Sequence, residues 1–188
     1  MIPRLATVYW DTLEFKDWTF HMAATDSGLC CVTLPNETFA TLEHRIAKHF
    51  PNSVLVHDTT KMVQYLHQVK EYFDGSRQVF SVALDFQGTP FQMKVWRALL
   101  EIPFGRTLSY SQLSLNIGHP TAVRAVGMTV GLNPIPILVP CHRVIGKSGK
   151  LTGYRGGLEM KAELLRLEGI EQTLPDAVVA RHLFAPNG

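Results

Sequence analysis

Leu138-Val139-Pro140-Cys141-His142-Arg143-Val144-Ile145-Gly146 sets a cysteine directly beside a histidine, between an apolar approach and a small loop. Pro134, Pro136 and Pro140 fall within seven residues and stiffen that approach, because each ring fixes its own φ. A thiol attacks only as thiolate, and an ordinary cysteine, with a pKa of about 8.5, is mostly protonated at neutral pH. A neighbouring imidazole and the start of a helical turn both lower that value. The stretch therefore reads as a held nucleophile, Cys141, with His142 as its base. The plainer alternative is a small buried hydrophobe beside a surface histidine, which leaves the prolines without a purpose.

A carboxylate follows downstream. Residues 158–168 are predicted helical, with Gly156-Gly157 before them and Gly169 as the stop. At about 100° per residue, Leu158, Ala162, Leu164 and Leu165 form one apolar stripe, and Glu168 falls on it. A buried charge without a partner is expensive. Glu168 is either a charge at a frayed helix end or the group that orients and polarises His142, completing a nucleophile–base–orienter series.

Before the cysteine lie two helix starts of the Ser/Thr-x-x-Gln kind. Thr89-Pro90-Phe91-Gln92 opens a helix whose Phe91, Val95, Leu99 and Ile102 share a face; Ser109-Tyr110-Ser111-Gln112 opens a shorter one. The short helix ends at Gly118-His119-Pro120, and another is expected over 121–131. Helix, glycine turn and helix make the helix-turn-helix pattern. In the second helix Ala122, Val123, Val126 and Val130 would face inward, and Arg124, Gly127, Met128 and Gly131 outward. A helix that reads bases in the major groove carries Asn, Gln, Arg or Lys along its exposed face. This face is nearly bare, which suits close approach to a minor groove, with Arg124 entering the stack. The alternative packs the helix internally, with Arg124 in an ion pair.

The charge agrees with a polyanionic partner. Residues 86–170 hold ten Lys/Arg against four Asp/Glu, whereas the rest of the chain holds eight against twelve. The apolar content is 46%, fitting a globular protein, and no run reaches the ~18 apolar residues of a membrane helix. Met1-Ile2-Pro3-Arg4 lacks a signal-peptide core, and three cysteines (Cys30, Cys31, Cys141) give no disulfide framework, so a cytoplasmic setting is expected. The first 86 residues read as strands over 6–10, 18–22 and 29–34, helices over 38–50 and 60–73, and a further strand over 79–86. The expected architecture is thus an α/β N-terminal domain over 1–86, a small antiparallel sheet with helices. A mostly α C-terminal domain with the helix-turn-helix follows over 87–170, and then a tail over 171–188.

The run Asn133-Pro134-Ile135-Pro136-Ile137-Leu138-Val139-Pro140-Cys141-His142-Arg143-Val144-Ile145-Gly146, with Gly153-Tyr154-Arg155-Gly156-Gly157-Leu158, resembles the O6-alkylguanine-DNA alkyltransferases, also called methylated-DNA–protein-cysteine methyltransferases. The resemblance runs from about Pro90 to Gly169. It implies direct-reversal DNA repair: the methyl on O6 of a flipped-out guanine in double-stranded DNA moves to Cys141, once per molecule, with O4-methylthymine as a second candidate substrate. By matching position, His142 acts through a water, Glu168 completes the relay, Asn133 holds the turn and Tyr110 assists flipping. Arg124 is the inserted finger, with Ala125, Gly127 and Gly131 beside it on the DNA face. Val144, Tyr154, Arg155 and Gly156 line the pocket. The resemblance implies a monomer that needs no cofactor; no metal ligands of the N-terminal domain carry over. Arg155 stands where some members have a small residue, which bears on bulky alkyl groups. Rival readings are a lesion sensor without chemistry, a sequence-specific regulator and a cysteine hydrolase.

Overall fold

The computed structural model describes residues 6–171, so the tail expected over 171–188 lies outside the described residues but for its first. Two compact units emerge: one holds the chain up to Met93 together with Asn133–Val139, the other Lys94–Leu132 and the chain from Pro140 on.

In the first unit, β1 (Ala6–Phe15), β2 (Trp18–Thr25), β3 (Gly28–Val32) and β4 (Ser53–His57) form one sheet in the order β3-β2-β1-β4. The first three strands pair antiparallel, but β4 runs parallel to β1, with Val8 opposite Leu55. The sheet is therefore mixed rather than antiparallel. A tight turn at Asp26-Ser27 joins β2 to β3. Pleat alternation sends Val8, Trp10 and Ala23 to one face, where α1 (Phe39–His49) packs Leu42 and Ile46 against them. Leu13, Phe15 and Phe20 point the other way, where Phe73 of α2 (Thr59–Phe73) stacks on Phe15 and Phe20 at ring separations of 4.9 and 5.3 Å.

The strand expected over 79–86 does not form. Only a single bridge joins Leu84 to Leu29, held by Leu29 N–H donating to Ala83 O (2.9 Å) and Asp85 N–H donating to Leu29 O (2.7 Å). That crossing is tight, because a Cβ on Gly28 (φ +152°) would lie 2.6 Å from the Ala83 carbonyl carbon and oxygen. Gly28→Ala should therefore cost on the order of 2 kcal/mol. The melting temperature should fall by roughly 4–8 °C, and an unchanged melt would contradict the crossing.

The predicted caps form as read. Thr89 and Gln92 exchange bonds of 2.9 and 3.3 Å at the start of α3 (Pro90–Leu100), and Ser109 and Gln112 exchange 2.8 and 3.1 Å at the start of α4 (Tyr110–Asn116). Within the second unit, Val95, Trp96, Leu99 and Ile102 are buried, and Trp96 Nε1 donates to Thr129 O of α5 (Val123–Gly131) at 3.0 Å. A parallel pair, β5 (Leu108–Ser109) and β6 (Val144–Ile145), ties the start of α4 to the segment after Cys141. α6 (Leu158–Leu167) closes the unit. Among the described residues no helix is long and apolar enough to cross a membrane.

Candidate active site around Cys141

Cys141 begins a single 3-10 turn, Cys141–Arg143, preceded by Pro140 and closed by Arg143 N–H donating to Pro140 O at 3.0 Å. It is 7% exposed, and the His142 side chain is fully buried. The His142 ring meets Glu168 through Nε2 and Oε1, 2.9 Å apart. The proton on that bond belongs to Nε2, which makes Nδ1 the basic nitrogen of a neutral ring.

Glu168 caps the C-terminal end of α6 and is buried, as the helical period required. Its carboxylate collects more donors than the histidine alone. Arg143 Nε and Nη2 each reach it at 2.9 Å, and Gly105 N–H donates to Oε2 at 3.1 Å. Arg143 Nη1 also donates to Ile102 O at 2.6 Å, and the guanidinium lies over the Phe104 ring. Burial by itself would raise the Glu168 pKa, but the bonds from His142 and Arg143 outweigh it and bring it down to about 2. For His142 burial dominates over the pull of Glu168, so its pKa lies below the ordinary value. Arg143 is thus the cation that balances Glu168, and His142 stays neutral and able to take a proton.

The sign of the resulting pH dependence follows from linkage. A carboxyl whose native pKa lies below its unfolded value stabilises the fold fully above the unfolded value and loses that contribution as pH falls through the native one. The advantage of the wild type over Glu168→Gln in urea unfolding should therefore be full above about pH 4.5 and shrink towards pH 2. An advantage unchanged across that window would show that Glu168 is not held as an anion.

Lys161 was not singled out from the sequence. It is fully buried, and its Nζ donates to Val144 O (2.6 Å) and Thr152 O (2.8 Å). Burial pulls its pKa down to about 8, opposed by the nearby Cys141 sulfur. Lys161 therefore puts an ammonium within electrostatic reach of the thiol and ties down both ends of the loop after β6. Its place seven residues before Glu168, two helical turns on the same face, was the available signal. Arg143 was equally missed, since its partners Ile102 and Glu168 are remote in sequence.

Tyr110 opens α4; burial raises its phenol pKa, against a bond with Thr152, and Cys141 adds to the rise. Gly127 is less exposed than expected. It is half-buried, with the Tyr110 ring beside it where an added Cβ would make ordinary contact at 3.6 Å. Arg124, Ala125, Met128 and Gly131 are exposed on α5, Val126 and Val130 are buried, and Thr129 is buried with them. Val144 is fully buried; Tyr154, Arg155 and Gly156 are half-buried in the turn before α6, where Gly157 N–H donates to Tyr154 O.

Asn133 belongs to the first unit. Its Nδ2 donates to Val139 O (2.8 Å) and its Oδ1 accepts from Ile135 N–H (3.0 Å), closing the proline-rich loop that precedes Pro140. The loop contains Ile137 at φ +77°, a position that a β-branched residue adopts only when its surroundings hold it there. Among the described residues, no three His, Cys, Asp or Glu side chains converge as a metal site.

Two family models match the chain. The 6-O-methylguanine DNA methyltransferase ribonuclease-like domain covers residues 8–86, and the DNA binding domain of the same family covers 90–170. The inducible methylated-DNA–protein-cysteine methyltransferase of Bacillus subtilis is 51% identical over 86% of this chain and 90% of that protein. A crystal structure of the Mycobacterium tuberculosis O6-methylguanine methyltransferase superposes with a TM-score of 0.75 at 38% identity, covering 92% of this chain and 99% of that one. The same organism's OGT in complex with DNA gives 0.74 at 40% identity, covering 86% and 92%.

Proposed function

Since the chain belongs to the O6-methylguanine DNA methyltransferase family, we propose that it is a methylated-DNA–protein-cysteine methyltransferase that moves an alkyl group from O6 of guanine in duplex DNA to Cys141. One observation carries the assignment of roles: a buried imidazole, His142, next to Cys141 in the chain, with its Nε2 on a carboxylate whose charge Arg143 already balances.

In this reading His142 takes the proton of Cys141 through Nδ1, directly or across one water. The thiolate attacks the alkyl carbon, the carbon–oxygen bond breaks with its electron pair going to O6, and the guanine gains a proton. Glu168 then faces an imidazolium, and the charge that forms on His142 is stabilised where it forms. The buried Lys161 favours the sulfur's negative charge before the transfer. The thioether left on Cys141 has no leaving group, so the reaction stops after one turnover. No cofactor takes part.

The α4–turn–α5 pair serves as the helix-turn-helix, with α5 in the minor groove. Arg124, Ala125 and Gly131 form its contact face, with the half-buried Gly127 at its edge beside the Tyr110 ring. Arg124 fills the space left by the rotated base. Tyr110 assists the rotation, and Asn133 keeps the loop before the cysteine in register. Val144, Tyr154, Arg155 and Gly156 line the pocket for the extruded base. O4-methylthymine is the second candidate substrate of this reading.

The test is where a label goes. Incubated with a duplex carrying a labelled O6-methyl group, the protein should take up one equivalent at most, stable to high salt and mapping to the peptide that contains Cys141. Label that stays on the DNA would support a sensor or regulator instead, and repeated turnover of an ester would support a hydrolase.

A further inference from the structure

The outer face of α5 is not empty. Met128 is 68% exposed and Leu132, at the C-terminal cap of the helix, 58%. At about 100° per residue, Gly131, Arg124, Met128, Leu132 and Ala125 follow one another across an arc of about 120°. Val126, Thr129 and Val130 fill the opposite side and are buried. Arg124, Met128 and Leu132 stand four residues apart, so they form a single ridge, one cation followed by two large apolar side chains. Only alanine and glycine flank that ridge, and nothing on the arc carries a carboxylate or an amide.

Scattered exposed hydrophobics are ordinary, but here two large ones stand side by side in line with a cation. The chain around it narrows the partner. From residue 102 to 158 there are six Lys/Arg and no Asp or Glu. A second copy of the chain would bring Arg124 against Arg124, with no acid on either face to receive it. The partner that combines an anionic rim with an apolar recess is the minor groove of duplex DNA, with phosphates outside and deoxyribose walls within.

We propose that Met128 and Leu132 pack against the sugar walls of the minor groove and supply a part of duplex affinity that does not depend on salt, beside the electrostatic part from Arg124. The proposal rests on the reading of α5 as the DNA-contacting helix. Apolar contact with a groove wall requires two strands, so the pair also makes the protein prefer duplex over single-stranded DNA.

Fluorescence anisotropy of the full-length protein on a labelled duplex and on one of its strands, over a salt series, tests this. The double variant Met128→Ala/Leu132→Ala should bind duplex about tenfold more weakly. Its slope of log affinity against log salt should match that of the wild type, since no phosphate contact is lost. Its duplex-to-single-strand ratio should narrow, and Met128→Leu should keep most of the affinity. Both residues are exposed, so melting temperatures should coincide; the pair Met128→Gln/Leu132→Gln should show the same loss by a polar route. Duplex affinity within twofold of the wild type, or a changed salt slope, would overturn the proposal. A wild-type dimer in sedimentation that becomes monomeric in the double variant would overturn it in favour of self-association. A wild type that binds no duplex at all would instead remove the DNA reading of α5 beneath it.

Discussion

With Cys141 replaced by Ala, the protein should still bind duplex DNA and should transfer no label at all. In this reading the sulfur is the acceptor, so the loss should be at least ~10⁴-fold in transfer rate. Neither other thiol can substitute. Cys30 and Cys31 are buried in the core of the first unit, and burial pushes the Cys30 thiol far above its usual range. The side chain removed is small, so stability should change by only about 1 kcal/mol. Binding by anisotropy and labelling by gel then separate two quantities that a damaged fold would lower together. Label on the Cys141→Ala protein would mean that the acceptor lies elsewhere.

Glu168→Gln should be costly twice over. The amide keeps the shape but removes the anion, and Arg143 is then left as a buried cation without a counter-charge, a loss of roughly 3–5 kcal/mol. His142 loses the carboxylate that would stabilise its protonated form, which should slow transfer by about 10²–10⁴-fold. Adding Arg143→Met separates the effects. The apolar replacement removes the orphaned cation, so the double variant should recover most of the stability in urea unfolding. Transfer should remain slow, because no carboxylate has returned to His142. Recovery of both together would mean that Glu168 acts only as a structural tie.

What the sequence disclosed and what it hid divide along physical lines. Glu168 could be found because a helix repeats every 3.6 residues, and a carboxylate in register with Leu164 and Leu165 had to be buried. The starts of α3 and α4 could be found because Thr89/Gln92 and Ser109/Gln112 carry their bonding partners three residues away. Arg143 could not be assigned its partners: it touches Ile102 and Glu168, 41 and 25 residues distant, and nothing local encodes that meeting. Lys161 stood in plain view two turns before Glu168, but a lysine on an otherwise alternating helix looks solvated until the carbonyls of Val144 and Thr152 are brought to it. The strand Ser53–His57 escaped because only five residues form it and its partner, β1, pairs with it in parallel from far back in the chain. Gly127 reads as fully outward because a glycine gives no clue to its own exposure; it is half-buried beside the Tyr110 ring, at the margin of that face.

The loop 133–139 belongs to the first unit, although the residues on either side of it in the chain belong to the second. Val32 N–H donates to Pro134 O at 2.9 Å, so the loop is stitched to the end of β3 by the backbone itself. A fragment starting near residue 87 would carry this loop without the strand it is sewn to, and the peptide leading to Cys141 would lose its anchor. Gene fusions, split reporters and trimmed versions of this protein should therefore keep the first half attached.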